Sequence, residues 1–227
     1  MRKNFIACSV CPVWEMSADG SNRSGPAERA DDERWHDLHE NYVTEARARE
    51  ADVLIVGDDH IALLEQSTFY RENIAPLHCL VFGSFGDTAE QLLWRLENGE
   101  LELANPKVIL ISIGHNDYRK GNEFLSKLRK IVDLCTQKHP EAKIFVMKLF
   151  PMGKGEDKRR KWIQTVNDAL EGTFTPAVNI VDVDMTIIGS DGSIDRHLMF
   201  DYFHLTQEGY AKMFYAVHIA LTQAFNP

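Results

Sequence analysis

The chain has 227 residues, 44% of them hydrophobic and 26% charged, with a formal net charge of −9. That length suits one α/β unit with a full core, and the composition is that of an ordinary globular protein. The acidic balance speaks against a nucleic-acid or anionic-membrane binder, whose footprint is a basic stripe. No apolar run reaches spanning length and no secretory leader is apparent, so no stable membrane insertion is expected.

Four cysteines, Cys8, Cys11, Cys79 and Cys135, are too few to staple a chain this long. They point to a reducing, cytoplasmic setting. Cys8 and Cys11 form a lone CxxC with no second half and read as two free thiols.

Residues 1–32 carry Gly20, Ser21, Ser24, Gly25 and Pro26 among scattered charges. They make a poor core former and are expected to be a flexible arm. Residues 33–227 are expected to be a single domain. From Glu33, the spacing of Trp35, Leu38, Tyr42 and Ala46 predicts an amphipathic helix. Next comes DVLIVGDDH, residues 52–60. A short apolar run ending in a glycine turn reads as a buried parallel strand that opens into a helix. The pattern then predicts a helix over 60–67, a strand over 78–82 and a helix over 88–98. A strand over 107–113, a helix over 122–138 and a strand over 143–149 follow. Helix 158–172, strand 179–183 and helix 206–225 end the series. Strands alternating with helices imply βαβ units and a parallel sheet covered on both faces.

The polar residues cluster where that topology places function. Asp58, Asp59, Gly86, Asn116, Asp201 and His204 all sit just past a strand or just before a helix. In an open α/β sheet such positions converge on the carboxyl edge, where ligands bind. Asp58 reads as a helix cap, Asp87 as part of the next cap, and Asp117 as a residue that orients its loop. The basic run over 154–161 reads as a solvated face. Trp94 and Trp162 read as core or dimer contacts.

Gly57-Asp58-Asp59, the turn ending at Gly86, Gly114-His115-Asn116-Asp117 and Asp201-Tyr202-Phe203-His204 resemble the four blocks of the SGNH, or GDSL-type, hydrolases. Phe69-Tyr70-Arg71-Glu72, Pro76-Leu77-His78, the run LWRLENGELE at 93–102, Ser190-Asp191-Gly192-Ser193-Ile194 and Met199-Phe200-Asp201-Tyr202 narrow it. They are similar to the α-subunit family of the intracellular platelet-activating factor acetylhydrolase, type IB, across residues 33–222. The resemblance implies a three-layer α/β sandwich, flavodoxin-like, with a five-stranded parallel sheet. It implies hydrolysis of the sn-2 acetyl ester of an ether phospholipid, with no cofactor and no metal. It also implies a homodimer, or a heterodimer with a related α subunit, that binds a WD-repeat β-propeller of the lissencephaly type.

Carried over residue by residue, the resemblance puts the catalytic acid and base at Asp201 and His204. It puts oxyanion donors at the backbone N–H of residue 59, the N–H of Gly86 and the side chain of Asn116. It gives a small acyl pocket to His60, His115 and Phe203, where the family carries smaller or apolar side chains. Val81 and Phe85 stand where it usually has Asn and Gly, and Phe85 is expected to crowd the oxyanion turn. The nucleophilic serine falls at Asp59. A serine esterase needs a hydroxyl that yields its proton to an imidazole, and donors aimed at a charge that exists only in the transition state. A carboxylate at 59 is an anion already in the ground state. It can take the donors for itself and favour the imidazolium form of His204. The expected outcome is loss of serine-type acyl transfer and retention of the fold for assembly. Three alternatives stand beside it: Asp59 as the nucleophile, direct attack by water activated at His204, and a zinc site formed by Asp59, His60, His115 and His204.

Overall fold

The structure is a computed structural model and describes residues 26–102, 105–120 and 123–225. The CxxC, most of the expected arm over 1–32 and the expected helix start at Asn122 lie outside those residues.

Five strands form one parallel sheet: β1 Val53–Gly57, β2 Cys79–Gly83, β3 Val108–Ser112, β4 Lys143–Met147 and β5 Val178–Val181. Their order is β2-β1-β3-β4-β5. β1 is an interior strand between β2 and β3, with Val56 opposite Phe82 on one side and Ile111 on the other. All five of its residues are buried, as an unbroken apolar run requires when both faces are covered. Leu54 and Val56 join one core with Ile109, Ile111, Ile144 and Val146. Val53 and Ile55 point the other way, into a second core with Val108 and Leu110.

Helices α1 Glu33–Ala48, α3 Ala89–Arg95, α4 Glu123–Lys138 and α5 Lys158–Thr173 contribute to the first core. Helices α2 Asp59–Ala62 and α6 Gln207–Phe225 contribute to the second. The result is the expected three-layer sandwich with flavodoxin-like strand order. In that order β2 is added on one side of β1 and β3 on the other. The crossovers therefore leave in opposite senses, and a crevice opens at the carboxyl ends of β1 and β3. Gly83 lets α2 approach this edge, because a Cβ there would lie 2.1 Å from the backbone nitrogen of Ala62.

Two helices differ from the sequence expectation. The helix expected over 60–67 ends at Ala62, followed by a 3-10 turn at Leu64–Gln66. Ser67 then restarts the chain: its hydroxyl donates to the Leu64 carbonyl at 2.8 Å and accepts the Tyr70 N–H at 3.0 Å. A wide helical turn, Tyr70–Ile74, follows. The helix expected over 88–98 is regular only to Arg95 and loosens into another wide turn, Leu96–Glu100, where Gly99 takes φ +120°. In both places a side chain competes for the backbone, since Asn98 donates back to the Trp94 carbonyl at 2.7 Å. Among the described residues no helix is long and apolar enough to cross a membrane.

Candidate active site

The carboxyl end of β1 delivers two adjacent carboxylates with different surroundings. Asp58 is fully buried. Its Oδ1 accepts the His60 N–H at 3.3 Å and caps α2, while Oδ2 accepts the backbone N–H groups of Gly114 and His115 at 3.2 Å each. Asp58 therefore ties the turn after β1 to the turn after β3, and this leaves Asp59 facing the crevice.

Asp59 Oδ2 accepts two hydrogen bonds, from the Gly86 N–H at 2.8 Å and from Asn116 Nδ2 at 2.6 Å. The same Asn116 nitrogen donates to the Asp87 carbonyl at 3.0 Å, which fixes the amide's orientation. Gly86 holds φ +73°, a conformation that turns its N–H inward and that a side chain rarely adopts. Phe85 does not crowd this turn as expected. Its ring is 52% exposed and faces solvent, while its carbonyl accepts Arg29 Nη2 at 2.6 Å.

His204 comes from the turn before α6. Its Nδ1 lies 2.6 Å from Asp201 Oδ2, and Asp201 Oδ1 accepts the N–H groups of Phe203 and His204 at 2.9 and 2.7 Å. Partial burial works upward on the Asp201 carboxyl, but these bonds outweigh it and hold the group below its ordinary range. Nε2 of His204 lies 3.5 Å from Asp59 Oδ1. Asp59, Gly86, Asn116, Asp201 and His204 thus meet at one edge.

His60, His115 and Phe203 lie behind Asp59. Ring centroids are 4.5 Å apart for His60 and His115 and 5.3 Å for His60 and Phe203. Phe150 closes the group at 4.5 Å from His60 and 4.3 Å from His115. His60 therefore bridges the other two expected pocket residues, edge-on to His115 and stacked on Phe203. Burial drives the His60 imidazole well below its ordinary value, and His115 and His204 push it the same way. The four residues considered for zinc are not the ones that gather: Asp58, rather than Asp59, joins His60 and His115, and His204 stays with Asp201.

Sequence reasoning missed the layer beneath the Gly86 turn. Asp87 is fully buried; its Oδ1 accepts Trp35 Nε1 at 2.8 Å and its Oδ2 accepts Arg95 Nε at 2.8 Å. Arg95 also pairs with Glu100, which holds His39 Nδ1 at 2.8 Å. Burial opposes the charge on Arg95, but Glu100 and Asp87 outweigh it and hold the guanidinium protonated. Asp87 is thus an ion partner just ahead of the cap. Thr88 caps α3 in a reciprocal box with Gln91, whose Oε1 accepts the Thr88 N–H at 2.7 Å, and Asp117 takes the next free donor, the Ala89 N–H, at 3.0 Å. A signal existed, because Arg95 lies between Leu92 and Leu96 on the buried side of a helix. The basic run over 154–161 also needs correcting at Arg160, which is buried and donates to the carbonyls of Met152, Gly153 and Gly192. Trp94 packs 5.2 Å from Trp35, and Trp162 lies 5.7 Å from Phe124.

A family model described as the GDSL-like Lipase/Acylhydrolase family matches residues 67–212. The chain is similar to platelet-activating factor acetylhydrolase IB subunit alpha2 of Gallus gallus, with 39% identity over 215 residues, 92% of this chain and 94% of that protein. It is 34% identical to subunit alpha1 of the same enzyme from Pongo abelii over 218 residues, 95% of this chain and 89% of that one. A GDSL-like lipase from Bacteroides thetaiotaomicron shares the fold, with a TM-score of 0.67 at 19% identity over 82% of this chain and 98% of that one.

Proposed function

This chain belongs to the GDSL-like lipase/acylhydrolase family, and from that premise we propose that it is a member whose serine-type acyl transfer is switched off at residue 59. One observation carries this reading: Asp59 Oδ2 occupies both Gly86 N–H and Asn116 Nδ2, at 2.8 and 2.6 Å. By the family resemblance these are the donors that receive the oxyanion, and residue 59 is the position of the serine. Donors aimed at a charge that develops only in the transition state lower the barrier. Donors already bound to a resident carboxylate stabilise the ground state instead. The packing of His60 against His115 and Phe203 supports the reading further, since the family resemblance assigns these positions to the acyl pocket.

The retained fold serves as an assembly subunit in the cytoplasm. It pairs as a homodimer, or as a heterodimer with a related α subunit, and docks a WD-repeat β-propeller of the lissencephaly type. Two of the proteins to which the chain is similar are themselves described as subunits. Size-exclusion chromatography tests the dimer, and pull-down with the propeller tests the docking.

The intact Asp201–His204 pair, at 2.6 Å, favours a second reading. There His204 activates a water for a residual or altered hydrolase reaction, or supports Asp59 as the attacking carboxylate. A fluorophosphonate probe tests the first reading, because it needs an activated hydroxyl. The expected result is no adduct at this edge in the wild-type chain and an adduct at residue 59 in Asp59→Ser. Stoichiometric, pH-dependent labelling of the wild-type site overturns it.

A further inference from the structure

Asp58, His60 and His115 have solvent exposures of 0%, 0% and 3%. One donor atom from each lies within 4.8 Å of the other two. Both ring nitrogens of His60 and Nε2 of His115 are buried without a hydrogen-bond partner. Buried polar atoms are nearly always bonded, and an apolar ring would fill the same volume without the desolvation cost. The imidazole nitrogens therefore need a reason to be there.

We infer that Asp58, His60 and His115 form a binding site for a divalent transition-metal ion, with zinc the best match. The donor set is two imidazoles and one carboxylate, which suits Zn²⁺; calcium and magnesium call for oxygen donors alone. Three protein donors are also the number found where zinc keeps one position open. Tetrahedral zinc at about 2.0–2.1 Å from each donor brings donors to about 3.3 Å from one another. Binding therefore draws the two imidazoles toward Asp58, whose carboxylate the backbone holds in place.

The surroundings already hold the ligands as a metal site needs. Backbone N–H groups of Gly114 and His115 fix Asp58 Oδ2 at 3.2 Å each. Tyr210 donates its hydroxyl to the His60 carbonyl at 2.9 Å and so anchors α2 against α6. Phe150 shields both imidazoles on one side. The negative charge of Asp58, with Asp59 next to it in sequence, offsets that of the ion.

The test uses the full-length chain, stripped with EDTA and then equilibrated with zinc alone or cobalt(II) alone. After gel filtration, elemental analysis is expected to find one zinc per chain, and cobalt is expected to give the intense visible absorption of a four-coordinate site. His60→Asn and His115→Gln each abolish the bound equivalent, while His204→Ala keeps it. Should either ligand variant fail to fold, the imidazole NMR signals of His60 and His115 in the cobalt-loaded wild-type chain give the answer through their paramagnetic shifts. Substoichiometric zinc, binding that survives both ligand variants, binding lost with His204→Ala, or unshifted His60 and His115 signals each overturn the inference.

Discussion

Asn116 donates its side-chain amide to Asp59 at 2.6 Å, a bond between the turn after β3 and the first residue of α2. The bond links a neutral donor to a carboxylate at a partly buried site, so it stabilises the fold as well as occupying the crevice. A charge-assisted bond of this kind contributes about 1.5–3 kcal/mol, less where solvent competes. Asn116→Ala is therefore expected to cost about 1–2 kcal/mol in urea denaturation, and clearly less when made in the Asp59→Ser background. Costs that add within about 0.3 kcal/mol would mean that the two side chains do not interact energetically.

The ionic layer under the Gly86 turn gives a larger effect. Arg95 has 1% of its side chain exposed, and both of its carboxylate partners, Asp87 and Glu100, have none. Arg95→Met keeps the volume but removes the shared counter-charge of two buried carboxylates. It leaves Asp87 with Trp35 Nε1 and with Arg29 at 3.6 Å, and Glu100 with His39. Breaking such a buried pair costs about 3–5 kcal/mol. The expected outcome is a large fall in the denaturation midpoint. A change below about 1 kcal/mol would show that Asp87 and Glu100 take up protons or solvent cheaply.

Burial also sets the behaviour of two thiols. Cys79 and Cys135 are buried and free, and desolvation pushes each thiol up to about 12. For both, the folded value lies above the ordinary one, so the thiolate is absent across the neutral range and reactivity returns only on unfolding. Iodoacetamide at pH 8 with peptide mapping is expected to leave both unmodified in the native chain and to label both in guanidinium chloride. Rapid labelling of either under native conditions would contradict their placement in the two cores.

Much of the fold was legible because apolar runs and helical spacing survive as local signals. The buried strand at Val53–Gly57 and the long helices at Glu123–Lys138 and Lys158–Thr173 follow from periodicity and length. The irregular turns at Tyr70–Ile74 and Leu96–Glu100 do not, because they depend on side chains such as Ser67 and Asn98 bonding back to the main chain. At the crevice, the positions of Asp59, Gly86, Asn116, Asp201 and His204 could be read from their places at strand and helix ends. The pairing of Arg95 with Asp87 and Glu100 could not, since no local rule links a charge on a helix to a loop eight residues earlier. The gathering of Asp58 with His60 and His115 was likewise hidden, because Asp58 reads equally well as a simple cap.

The most direct test is the rate of acetyl-ester hydrolysis by the wild-type chain and by Asp59→Ser, measured side by side with p-nitrophenyl acetate. Freeing the donors and supplying a hydroxyl next to His204 is expected to raise the rate by about 100-fold or more, the size of effect that oxyanion donors carry. The wild-type chain should be no faster than its own His204→Ala variant. Brisk wild-type hydrolysis that depends on His204 and that Asp59→Ser fails to exceed would contradict the account.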